Sequence, residues 1–186
     1  SIDKYFGTWK KSDNLSYPQY APVKELTAPR DTTVVGQEAA FMMMGWNFPG
    51  SASAEIDTLQ VIDHILANGK AGLFDLNINQ KMKCQYAASM LDGMNEYSQF
   101  ILYGMPMPGQ SLKDVRDIML AEIEKLKKGE FSDDLLPSVI NNIKLDYNNS
   151  LESNEWRANE FVDAFINHET WQDKVNYINR ISKITK

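Results

Sequence analysis

Imidazole and thiol groups are scarce in this chain of 186 residues: His64, His168 and Cys84 are all it has. A helical zinc site for peptide hydrolysis needs two histidines one turn apart, with a glutamate to activate water. His64 is followed by Ile-Leu-Ala-Asn and His168 by Glu-Thr-Trp-Gln, so neither HExxH nor the inverted HxxEH is present. GxSxG, a phosphate loop, GxGxxG and CxxC are absent as well. A lone cysteine cannot close an internal disulfide, and Cys84 reads as a small packed residue. His64, beside Ile62 and Ile65 near the end of a helical stretch, reads as a helix-face residue. The donor set predicts no metal or other cofactor in this chain.

Carboxylates are plentiful but do not suggest acid–base pairs. Asp133-Asp134, Glu122-Glu124 and Glu155-Glu160 fall in first turns or on polar helix faces, where solvated charge favours the helix dipole. Trp9, Trp46, Trp156 and Trp171 read as packing residues, and the methionines, Met42 to Met44 and Met119 among them, as core and strand filling.

An apolar fraction of 43% is enough for a packed core, and the length suits one domain of fair size. A net charge of −6 disfavours binding to a nucleic-acid backbone, and no apolar run is long enough to span a membrane. SIDKYFGTWKK lacks the order of a signal peptide, which leaves the cell envelope (periplasm) and the cytoplasm both open.

The elements that would position any site follow from local pattern. Residues 1–30, with Pro18, Pro22 and Pro29, read as the end of a preceding element and an extended linker. TTVVGQEAAFMMMGWNF predicts two strands, or one broken at Gly36, with the apolar part central and buried on both faces. SASAEIDTLQVIDHILANG predicts a helix capped by Ser51 or Ser53 and closed near Gly69. GLFDLNINQKMKCQYAASML passes from helix to strand. A hairpin follows, with its turn at Asp92-Gly93 and its second strand over Tyr97 to Met105.

Four helices complete the chain. The first is capped by Ser111 with Asp114, carries Val115, Ile118, Met119, Ile123 and Leu126 as its apolar stripe, and ends at Gly129. Ser132 starts the second, with Leu136, Val139, Ile140, Ile143 and Tyr147 inward. The third sets Phe161, Val162, Phe165 and Ile166 on one face, and Thr170 with Asp173 opens the last. Paired antiparallel strands and segregated helices predict an α+β domain, a mostly antiparallel sheet with helices packed on one face.

This order resembles a known family. FGTWKK, the proline-bearing linker, strands ending in FPG, and AEIDTLQVIDHILANGKAGLF resemble the second, non-catalytic half-domain of the pitrilysin/insulysin zinc metallopeptidases (inverzincins). The likeness covers roughly residues 31–183, and the half-domain fold it implies is that of mitochondrial processing peptidase-like proteins. YFGTWKK resembles the close of a first half, and RISKITK the approach to a last strand, so residues 31–186 are expected to be a half-domain truncated before that strand. In that family the first half carries zinc on HxxEH, and the second closes over a peptide substrate as the other side of a clamshell. The resemblance therefore implies zinc in the other half, a catalytic half-domain as partner in the same or another chain, and a peptide substrate.

Relatives set a Leu-Phe pair, an arginine, and a tyrosine seven residues later at the helix-to-strand junction, where arginine and tyrosine hold the substrate backbone. Here Tyr86 falls on the tyrosine position. Asn79 stands where arginine is expected, Leu73-Phe74 lies one residue further off than usual, and Asn77 is the other candidate once that slip is allowed for. Tyr86, Asn79 and Asn77 are thus the candidate substrate-binding residues. Asparagine offers neutral donors on a shorter stem than arginine's charged fork, which weakens an oxyanion-clamp role. Two other functions stay open: a structural or partner-binding subunit without catalysis, and a ligand-binding module with its pocket at the junction. An open strand edge further predicts self-association.

Overall fold

The computed structural model describes residues 1–13, 21, 24 and 26–186. It divides into two units, Ser1–Asp31 and Thr32–Lys186. In the first, the short helix α1 (Ile2–Phe6) buries no side chain, and Phe6 meets Trp9 edge-on at 5.0 Å. The expected prolines Pro18 and Pro22 lie outside the described residues; Pro29 belongs to no helix or strand.

The second unit holds the strands β1 (Met42–Pro49), β2 (Tyr86–Gly93) and β3 (Tyr97–Met105). Between β1 and β2 come the helix α2 (Glu55–Leu66) and a π-helical turn, Asp75–Asn79. After β3 follow α3 (Leu112–Lys127), α4 (Leu135–Ser150), α5 (Asn154–Ile166) and α6 (Trp171–Ile181). The strands form one antiparallel sheet in the order β1-β3-β2, with Met44 opposite Leu102 and Ser89 opposite Leu102 on its other side.

Alternation along β3 divides the sheet into two faces. Ser98, Phe100, Leu102 and Gly104 are buried against the helical layer, and the residues between them point away from it. Gly104 is required there: a Cβ would come within 2.6 Å of Val115 Cγ1 and 2.8 Å of Met119 Sδ, so its absence lets α3 lie flat on β3. Phe74, Ile78, Leu66 and Ile181 complete a core in which each is under 2% exposed. On the scale of about 1.5–3 kcal/mol per fully buried large apolar side chain, this cluster supplies the main drive for folding. The capping boxes at Ser111/Asp114 and Thr170/Asp173 both form. Gly129, with φ +66, terminates α3 in the left-handed region that favours glycine.

Several expectations are corrected. β1 is an edge strand, and residues 32–41 form no strand; Met42 and Met44 turn inward while Met43 is 56% exposed. A run of apolar residues cannot by itself distinguish a strand buried on both faces from one that covers an edge with flexible methionines. The hairpin turn lies three residues further on, at Asn95-Glu96. Gly93 still pairs with Ser98, and the Met94 N–H donates to the Tyr97 carbonyl at 3.1 Å. Ala54, not a serine, occupies the N-cap of α2, and Asp134 that of α4. Trp9, Trp46 and Trp171 are exposed and lie outside the core, although Trp171 stacks on Phe161 at 4.2 Å. Phe161, Val162, Phe165 and Ile166 do share a face of α5, but it is the solvent face; Ala164 is the buried residue of that helix.

Candidate functional site

The helix-to-strand junction is built on Asp75. Its Oδ2 accepts the backbone N–H of Asn68 at 2.9 Å and of Gly72 at 3.0 Å, fastening the π-turn to the loop that follows α2. Leu73, Phe74 and Ile78 then point into the core. A π-turn holds one residue more than an α-turn would. Cys84, 1% exposed, packs beneath, its thiol donating to the Tyr86 carbonyl at 3.4 Å; burial pushes its pKa up, which suits a packing role.

The two asparagines face protein groups. Asn79 donates through Nδ2 to the Ala87 carbonyl and accepts the Ala87 N–H at Oδ1, both at 2.9 Å. It thereby pairs with β2 as a neighbouring strand would. Asn77 Nδ2 donates to Glu122 Oε2 at 2.8 Å, and Lys125 Nζ holds the other oxygen of that carboxylate at 2.7 Å. Glu122 is only 2% exposed, so its reading as solvated charge is corrected: α3 packs against the π-turn along this side, and Asn77 and Lys125 satisfy the carboxylate that is buried there.

Tyr86 is different: it is 48% exposed on the sheet face that the helices leave uncovered. Its ring lies 6.3 Å from that of Tyr103, which in turn lies 5.5 Å from Phe41. Directly opposed residues in antiparallel strands share a face, so Met43, Ala88 and Tyr103 form one row and Gly45, Met90 and Ile101 the next. Asn47, Gln99 and Asp92 make a polar row nearer the hairpin, where Gln99 Nε2 donates to Asn47 Oδ1 at 3.2 Å. Sequence reasoning assigned Tyr86 to a site but missed Tyr103, Phe41 and the three outward methionines, Met43, Met90 and Met105, the last directly opposite Tyr86. The strict alternation of YSQFILYGM contains the signal for Tyr103.

A larger cleft of about 580 Å³ opens between residues 51–57 and the α5–α6 pair. Its charges answer one another. Lys174 stands 2.9 Å from Glu169 and 3.6 Å from Glu160, and Arg180 clasps Asp57. Among the described residues, no three His, Cys, Asp or Glu side chains are grouped to hold a metal ion. His64 Nδ1 lies at hydrogen-bonding distance, 2.9 Å, from the Gln60 carbonyl. Among the described residues, no helix is long and apolar enough to cross a membrane.

Comparison with known proteins agrees with this architecture. No curated protein sequence matches the chain. Among solved structures, a protease from Helicobacter pylori superposes with a TM-score of 0.90 at 22% identity, over 99% of this chain but 45% of that one. The chain thus spans less than half the length of that relative. The inactive peptidase domain of a Bordetella parapertussis protein assigned as a zinc protease gives a TM-score of 0.65 at 12% identity, covering 82% of this chain and 84% of that one. A Bordetella pertussis Tohama I protein with the same assignment gives 0.67 at 12%, covering 81% and 83%. At these identities the likeness establishes the fold: an α+β half-domain with an antiparallel sheet. The sequence profile of the Peptidase M16 inactive domain matches residues 1–143, most of the chain. The chain belongs to the Peptidase M16 inactive domain family.

Proposed function

We propose that this chain is the non-catalytic half of a zinc metalloendopeptidase, closing over a peptide held near zinc in a separate catalytic half. Residues 1–30 would end the preceding half and lead into the half-domain of residues 31–186. The observation that carries this reading is the exposure of Tyr86 on the uncovered sheet face, at the position where relatives are expected to hold substrate. Tyr86 is the direct contact in this reading. Asn79 and Asn77 support it from behind, by fixing the strand start and the π-turn that set its direction. Reconstitution tests the reading. Adding the chain to an HxxEH-bearing half should raise peptide cleavage, and Tyr86→Ala should lower that gain through kcat/KM. No gain with the natural partner half would overturn it.

A second reading, a structural subunit without catalysis, is favoured by one feature. Asn79 stands where relatives place arginine, and its amide bonds the Ala87 backbone in both directions. Under that reading the chain co-purifies with a partner whose peptidase activity is unchanged when the chain is removed. Self-association through the open edge of β1 fits either reading and is tested by sedimentation at increasing concentration.

A further inference from the structure

We infer that the uncovered sheet face selects uncharged, apolar stretches of extended peptide and rejects charged ones; this rests on the reading of the chain as a substrate-enclosing half. The chain carries 44 charged residues among 186, yet the outward positions of the three strands hold a single charge, Asp92, at the hairpin end. The opposite end is formed by Tyr86, Tyr103, Met43 and Met90, with Ile101 between them. Met43, Met90 and Tyr86 are 56%, 51% and 48% exposed, and a surface this apolar in a charged chain marks a place for a partner.

The chemistry of the face defines that partner. A Glu side chain laid over Ile101 and Met90 would lose water and find no opposite charge in exchange, and a Lys would find only Asp92 at the hairpin end. An aromatic or aliphatic side chain gains ring contacts at Tyr86 and Tyr103 and contact with methionine sulfur at Met43 and Met90. Methionine adapts its shape, so the face should discriminate by polarity more than by the identity of each apolar residue. Successive side chains on one side of an extended peptide lie about 6.5–7 Å apart, close to the 6.3 Å between the rings of Tyr86 and Tyr103.

Methionine methyl NMR on this chain reads the contact directly. The probes are an acetylated, amidated octapeptide of alternating Phe and Ser, and its counterparts with Lys or Glu replacing Phe. The expected result is a shift of the Met43, Met90 and Met105 methyls with the Phe peptide and no shift of Met119, which is fully buried. The charged peptides should bind at least about tenfold more weakly. Met90→Lys, at an exposed site, should weaken the response at Met43 while leaving Tm within a few degrees of the parent. Absence of shifts at the three outward methyls, equal shifts with the charged peptides, or shifts at Met119 of the same size would each overturn the inference. Cleavage gained on reconstitution without these shifts would defeat the inference and leave the half-domain reading standing. The shifts without such a gain would support the inference and defeat that reading.

Discussion

The side chain of Asn79 makes two 2.9 Å hydrogen bonds to the backbone of Ala87, one in each direction. This amide closes the start of the edge strand β2 and joins it to the π-turn. A group that donates and accepts at once is needed, and asparagine supplies both where arginine can only donate. The residue that looks like a weakened catalytic contact is therefore the clamp of the junction.

Asn79→Ala should destabilise the chain by about 1–3 kcal/mol, since it leaves the N–H and carbonyl of Ala87 unpaired. Asn79→Arg should not restore that loss, because it offers no acceptor to the Ala87 N–H. Urea unfolding of both variants checks this; an Asn79→Arg variant as stable as the parent would contradict it.

Glu122 and Asn77 provide a second test of the same junction. Glu122→Ala removes a buried carboxylate and strands the Asn77 amide, at an expected loss of about 1–3 kcal/mol. Double-mutant analysis with Asn77→Ala should show coupling of about 0.5 kcal/mol or more, whereas additive losses would mean that the pair is not cooperative.

How much of this was legible in the sequence depends on the range of the interaction. The boxes at Ser111/Asp114 and Thr170/Asp173 span three residues and can be read directly. Glu122 looked solvated because its partner Asn77 is 45 residues away. The stripe of Phe161, Val162, Phe165 and Ile166 was visible as a stripe, but helical period does not say which side faces the core. The π-turn of Asp75–Asn79 has no signature in the local pattern, and only the fold reveals it. Tyr86 itself could be assigned to the junction, whereas the row it forms with Tyr103 and Phe41 depends on strand register.

Stability should fall with rising pH through the titration of Asp63. Burial pushes its carboxyl above the ordinary value, against the opposing hydrogen bond from Ser89 and the nearby His64. With the folded pKa raised, this contribution is complete below the unfolded value near 3.8 and is lost as pH rises through the folded one. Asp63→Asn should flatten that part of the profile in urea titrations; an unchanged slope would contradict it.

Tyr177 should titrate late. Burial, and then the neighbouring Asp57 carboxylate, push its phenol up to about 12. The raised pKa means that its contribution holds below pH about 10 and is lost as pH rises to about 12. Tyrosinate absorbance of Tyr177→Phe should lack this late component, and loss of an early component instead would refute the assignment.

The central claim, that Tyr86 on a non-catalytic half meets the peptide, is tested most directly by reconstituted cleavage. The measurement is kcat/KM of the HxxEH-bearing half with peptide, alone, with this chain, and with its Tyr86→Ala variant. The expected result is a gain that requires this chain and falls at least about tenfold with Tyr86→Ala, a loss of 1.4 kcal/mol in transition-state binding. Full activity of the catalytic half alone, or a gain untouched by Tyr86→Ala in a folded variant, would contradict the claim.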